Sequence, residues 1–203
     1  MARWSHTIGS EAELALLFDA PVAASLQKET SFVHPVYRAL IEASPFFALA
    51  TSGPGGLDVS PRGDAPGFVI VEDEKTLLLP ERRGNNRIDS LRNIVADPRV
   101  ALLFLIPGRG ETLRVSGRAT IVTDPALLER FAVAGKAPKC VLAVDVETVF
   151  FQCARAILRS GLWDAQAVEG LPSAGAMLAA LSEHFDGAAY DQALPERQRT
   201  TLY

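Results

Sequence analysis

Apolar residues change period near residue 46, and that change separates a helical opening from a strand-rich middle. Before it, the apolar positions fall at helical intervals, which predicts short helices over 11–18, 22–28 and 35–43, the last stopped by Ser44-Pro45. All three are expected to pack against the body of the protein. Phe47-Ala48-Leu49-Ala50-Thr51 then predicts a strand, Ser52-Gly53-Pro54-Gly55-Gly56 a turn, and residues 57–60 the returning strand of a hairpin. A second hairpin is expected over 68–72 and 76–79, around Asp73-Glu74-Lys75. Ile88, Leu91, Ile94 and Val95 recur at helical spacing and Asp97-Pro98 ends that helix, so its N-terminus is expected near Asn85 or Asn86. Strands follow over 100–106 and 111–122, joined by Pro107-Gly108-Arg109-Gly110. In the longer strand Leu113, Val115, Ala119 and Ile121 lie on one face and Arg114, Ser116, Arg118 and Thr120 on the other, which is wet or ligand-lined. Asp124-Pro125 opens a helix through Ala134, two strands are expected over 141–146 and 148–153, and an amphipathic helix over 173–185 comes last. Six or more consecutive antiparallel strands broken by single helices predict a barrel-like α+β domain.

Composition narrows the possible functions. A chain of 203 residues that is 48% hydrophobic can bury a substantial core, and one domain of ordinary size is expected. A net charge of −4 argues against a general nucleic-acid or membrane-surface binder, which needs clustered positive charge. Cys140 and Cys153 are too few for a disulfide framework and neither has a histidine at metal-ligand spacing. His6, His34 and His184 are scattered, so no Ser/His/Asp or Cys/His set can be assembled and hydrolysis has no candidate residues. The N-terminus lacks an apolar leader and no run of eighteen apolar residues occurs, so a soluble cytoplasmic protein is expected.

The chemistry concentrates between residues 59 and 118. Sixteen of the twenty cationic residues are arginine, and Arg82, Arg83 and Arg87 gather where a helix is expected to begin. Helix dipoles disfavour positive charge at that end, so the cluster points to a bound anion. Free backbone N–H groups, a permissive Gly84, capping Asn85 and Asn86, and guanidinium forks suit a phosphate monoester. The alternative is that these arginines face solvent and pair with Glu81 and Asp89.

The order of Ser60-Pro61-Arg62-Gly63, Leu78-Leu79-Pro80, Arg83-Gly84-Asn85-Asn86-Arg87 and Asp97-Pro98-Arg99-Val100-Ala101-Leu102-Leu103-Phe104 resembles the pyridoxamine 5'-phosphate oxidase-related flavoproteins. Glu111-Thr112-Leu113-Arg114-Val115 and Arg159-Ser160-Gly161-Leu162-Trp163 resemble an FMN-binding branch of that family, and the likeness covers about residues 44–164. It implies an α+β fold: an antiparallel, Greek-key-like FMN-binding split β-barrel with flanking helices, forming a homodimer with flavin at the interface. The barrel domain would span 45–164, with a helical packing segment over 1–44 and a C-terminal helix and tail over 165–203. Carried over residue by residue, the resemblance implies that Arg62, Arg83, Asn86, Arg87 and Ser90 hold the FMN phosphate, with Asn85 beside them. Ser60, Gly63, Leu79 and Pro80 would lie against the flavin ring. Thr112 would reach the partner's flavin, and Arg155, Arg159, Ser160 and Trp163 would close over it. Pro61 within a strand fits an edge or bulge, or an ordinary strand end. Trp163 is alternatively a core or interface anchor, and Thr112 a solvent-facing threonine.

One departure stands out. The pyridoxine phosphate oxidases carry a C-terminal Arg-x-His that grips the substrate phosphate, whereas this chain has Asp191-Gln192-Ala193-Leu194-Pro195-Glu196-Arg197 in that region. The expected function is an FMN-dependent oxidoreductase of another substrate, with a non-catalytic FMN carrier or flavin-linked sensor as the alternative. A heme or deazaflavin binder on the same barrel is a third reading, disfavoured for heme by the lack of histidines near the motifs.

Overall fold

A computed structural model describes residues 4–164, 166 and 168–203. The short helices α1 (Glu11–Ala15) and α2 (Ala23–Gln27) lead to α3 (Pro35–Ala43). The strands β1 (Phe46–Gly53), β2 (Gly56–Gly63), β3 (Ile70–Val71) and β4 (Thr76–Pro80) precede α4 (Asp89–Ala96). Next come β5 (Arg99–Leu105), β6 (Thr112–Val122), α5 (Pro125–Glu129) and β7 (Val141–Gln152). Three helices finish the chain: α6 (Arg155–Ser160), α7 (Ala174–Leu181) and α8 (Gly187–Thr200).

The strands form one seven-stranded antiparallel sheet in the order β2-β1-β5-β6-β7-β4-β3. It curls around a core without closing, leaving β2 and β3 as edges, and so bears out the expected split-barrel fold. The alternation expected in 111–122 is what drives this: Leu113, Val115 and Ala119 are buried while Arg114, Arg118 and Thr120 are exposed. Facing residues Leu49, Leu77, Phe104, Val144 and Val149 are fully shielded, with Ile41 of α3 and Ile94 of α4 packed against them. Pro61 sits on the edge strand β2 opposite Ala48, where its missing N–H interrupts no inner ladder.

Several boundaries differ from the sequence expectation for physical reasons. The two strands expected over 141–153 are one strand, because the ladder with β6 skips a residue between Ser116/Thr148 and Gly117/Val146, and this bulge absorbs Glu147. Gly117 is required there, since a Cβ would meet Asp145 O at 2.2 Å. The helix expected from Asn85 or Asn86 begins at Asp89, because Asn86 and Ile88 adopt φ of 60° and 52° and keep the preceding segment out of the helix. A β-branched residue in that conformation is strained by about 1–3 kcal/mol, a feature that clusters at functional sites. α1 and α2 have no buried residue among those described, whereas α3 buries Tyr37 and Ile41 against the core. The last expected helix ends at Leu181, placing His184 in a turn, and α8 follows it despite Pro195. Among the described residues, no helix is long and apolar enough to cross a membrane.

Candidate functional site

The β2 edge, the segment after β4 and the start of α4 enclose a cavity of about 810 Å³. Alternation along β2 turns Asp58, Ser60 and Arg62 inward while their neighbours are exposed. α4 brings Ser90 to meet them, because Ile94 seats the helix in the core and Asn93 Nδ2 donates to Thr51 Oγ1 at 3.1 Å, over Gly53. The segment 136–140 supplies the far wall, tied in by the Glu81 N–H donating to Cys140 O at 3.0 Å.

A directed chain of hydrogen bonds crosses the floor. Arg62 Nη1 donates to Ser60 Oγ at 2.9 Å, Ser60 and Ser90 hydroxyls lie 2.8 Å apart, and Ser90 Oγ donates to Asp58 Oδ2 at 3.0 Å. Arg62 Nε also donates to Glu81 Oε2 at 3.2 Å, with both side chains mostly buried. Burial pushes the Glu81 carboxyl above its ordinary value even though Arg62 pulls it down. The Cys140 thiol is pushed up by burial and then by the nearby Glu81 charge. Arg87 pairs with Asp89 at 2.7 Å in a largely exposed bridge. Arg83 makes no ion pair or side-chain hydrogen bond among the described residues.

Ser60, Arg62, Arg83, Asn85, Asn86, Arg87 and Ser90 therefore share one cavity. Of Arg82, Arg83 and Arg87, for which pairing with Glu81 and Asp89 was the alternative, Arg87 pairs with Asp89, Arg82 pairs instead with Asp64, and Arg83 has no ion pair among the described residues; Glu81 is taken by Arg62. Gly63 and Pro80 line an adjoining pocket of about 170 Å³ that shares Arg62 and Glu81 with the larger one. The Leu79 side chain belongs to the core. Thr112, buried at the start of β6, lies outside both pockets with Arg155, Arg159, Ser160 and Trp163. Ser160 Oγ donates to Ile157 O at 3.0 Å and Trp163 Nε1 to Arg109 O at 2.6 Å, while Arg155 and Arg159 stand exposed on α6.

Sequence reasoning missed Asp58, Lys136, Lys139, Cys140 and Tyr203, all of which line the cavity. Asp58 was findable, since it shares the period-2 face of Ser60 and Arg62. The others come from distant segments and carry no local signal.

The donor set suits a phosphate ester. Six cationic side chains, Arg62, Arg82, Arg83, Arg87, Lys136 and Lys139, outnumber the acidic Asp58, Glu81 and Asp89. The volume lies within the range of about 300–1,000 Å³ usual for cofactor sites. Among the described residues no group of three His, Cys, Asp or Glu side chains is placed to hold a metal.

No match was found among curated proteins. Similar solved structures include HupZ of Group A Streptococcus, 24% identical over 57% of this chain and 90% of that one, with a TM-score of 0.46. A candidate pyridoxamine 5'-phosphate oxidase from Lactobacillus delbrueckii is 22% identical, covering 60% of this chain and 95% of that one, with a TM-score of 0.47. An FMN-binding protein of Syntrophomonas wolfei is 12% identical over 56% and 82%, with a TM-score of 0.44. The family model for pyridoxamine 5'-phosphate oxidase matches residues 33–153, a span that holds α3 and every strand of the sheet, and the chain belongs to that family.

Proposed function

We propose that this protein binds FMN in the cavity between β2 and α4 and acts as an FMN-dependent oxidoreductase. The observation that carries the reading is the convergence of Arg62, Arg83 and Arg87 on a cavity of cofactor size in a chain of this family. Arg83, lacking a protein partner among the described residues, is the readiest ligand for a phosphate dianion. Arg62 and Arg87 would follow by exchanging Glu81 and Asp89 for phosphate oxygens. The hydroxyls of Ser60 and Ser90 supply further donors at the same end. Gly63 and Pro80, in the adjoining pocket, would flank the flat ring. Bound flavin would supply hydride or electron transfer, while the chain orients the reactants and excludes water.

A homodimer is part of the proposal. α1 and α2 bury nothing within the chain, and Leu16, Leu17, Phe18 and, on α6, Leu158 are exposed. A second copy would cover this apolar surface and would let Thr112, Arg155 and Arg159, remote from their own cavity, approach the partner's. Sedimentation at micromolar concentration should then give twice the chain mass, and dissociation should release cofactor.

The visible spectrum of freshly purified protein tests the reading. A flavin double band, released on denaturation as FMN rather than FAD, is expected. Protein that stays colourless and does not quench added FMN at hundredfold excess overturns it.

A further inference from the structure

Tyr203 lies three residues beyond α8, yet its side chain lines the cavity. Contacts from three parts of the chain hold it there. Its hydroxyl donates to Asp64 Oδ1 at 2.7 Å, the Arg82 guanidinium lies over its ring at 5.6 Å from the centroid, and its backbone oxygen accepts from Lys136 Nζ at 3.1 Å. The first two partners are themselves fixed. Arg82 Nε pairs with Asp64 Oδ2 at 2.7 Å, with side-chain exposures of 16% and 5%, and Arg82 Nη1 also donates to Phe131 O at 2.7 Å. The ring is therefore a fixed part of the wall, although it joins neither hydrophobic cluster of the fold.

Its position favours one end of the cavity. Asp64 follows Gly63, which with Pro80 was assigned to the ring of the cofactor, and Arg82 lines the adjoining pocket with both of them. An aromatic ring clamped on one face by a guanidinium has its other face left for stacking. We propose that Tyr203 is a ligand-contacting residue that stacks on the planar ring of the bound flavin and so selects flat heteroaromatic ligands. This inference rests on the FMN reading above.

Titration of wild type, Tyr203→Phe and Tyr203→Ala with FMN and with riboflavin tests it. The alanine variant should lose about threefold to tenfold in affinity for both ligands alike, and Tyr203→Phe should keep most of it. Flavin bound to Tyr203→Ala should also emit more strongly than in wild type, because the stacked phenol that quenches it is gone. Unchanged or tighter affinity in the alanine variant overturns the inference, as does a loss confined to FMN, which would place the effect on the phosphate through Arg82. Wild type that binds neither flavin overturns the FMN reading and this inference with it. Wild type that binds both while Tyr203→Ala is indistinguishable from it overturns this inference alone.

Discussion

Replacing Glu81 by glutamine should tighten FMN and leave riboflavin untouched. In the ligand-free cavity Arg62 is held by Glu81 at 3.2 Å, with side-chain exposures of only 18% and 20%. A phosphate that takes Arg62 must first displace this carboxylate. Glutamine keeps an oxygen that can accept from Arg62, but the bond becomes neutral rather than charge-assisted. Such bonds differ by about 1–1.5 kcal/mol, so the displacement becomes easier by that amount. The expected gain for FMN is about fivefold to tenfold. Riboflavin, having no phosphate, gains nothing. The effect also has a pH signature, because burial raises the Glu81 carboxyl above its ordinary 4.5. As pH falls through that raised value, wild-type Glu81 takes up a proton and releases Arg62 by itself, so the ratio of variant to wild-type affinity should be largest at high pH and shrink as pH falls toward 4.5. Using the ratio cancels the titration of the FMN phosphate. Fluorescence titration across that range is the assay. Equal tightening of riboflavin, or weaker FMN binding by Glu81→Gln, refutes the displacement argument.

Three further outcomes follow from other parts of the structure. Gly117→Ala should destabilise the fold by about 2 kcal/mol in urea unfolding, because its Cβ would press on Asp145 O at 2.2 Å in the β6–β7 bulge; wild-type stability would remove the bulge argument. Asp64→Asn should lose about 2 kcal/mol at pH 7 by stranding the mostly buried Arg82. Burial pushes the Asp64 carboxyl up, but Tyr203, Ala65 and Arg82 together hold it below its ordinary 3.8, so its contribution is present above that value and lost as pH falls through the lower folded one. The difference between variant and wild type should therefore shrink as pH falls below 3.8, and a gap constant with pH would contradict it. FMN-saturated protein should not form pyridoxal phosphate at a useful rate: Arg197 stacks on Tyr190 at 4.4 Å, Arg199 pairs with Glu196, and neither lines the cavity. Turnover near about 1 per second, an ordinary enzyme rate, would contradict this.

Period-2 patterning made the sheet legible. Apart from Thr51 and Thr112, the buried residues of β1, β5 and β6 are apolar or glycine, and a shift of register by one would expose Leu113 and Val115 while burying Arg114. Features set by a partner strand or by distant packing were not legible. Glu147 reads as an interruption of two strands, and only the β6 register turns it into a bulge within one. Asn86 and Ile88 look helical by spacing, yet tertiary context holds both at positive φ and moves the start of α4 to Asp89. α8 has little apolar periodicity and contains Pro195, so periodicity does not mark it, although Asp186 caps its start and Arg197 and Arg199 lie in its last turn.

The arginine cluster was visible because its members are neighbours in sequence; its pairing was not, because that depends on burial. Asp64 and Tyr203 are 139 positions apart and still form one hydrogen bond, so no local pattern could join them. Of the three acidic partners of the cavity arginines, Asp89 pairs with Arg87 in an exposed bridge, and the two more buried ones differ in a way that matters for ligand entry. Asp64 receives donors from Tyr203, Ala65 and Arg82 and is held below its ordinary range. Among the described residues the Glu81 carboxylate accepts from Arg62 alone, and burial outweighs that partner. An incoming anion therefore competes with Glu81 and leaves Asp64 in place. Arg62, like the exposed Arg87, can change partners, while Arg82, held by Asp64 and Phe131, keeps the Tyr203 wall fixed as they do so.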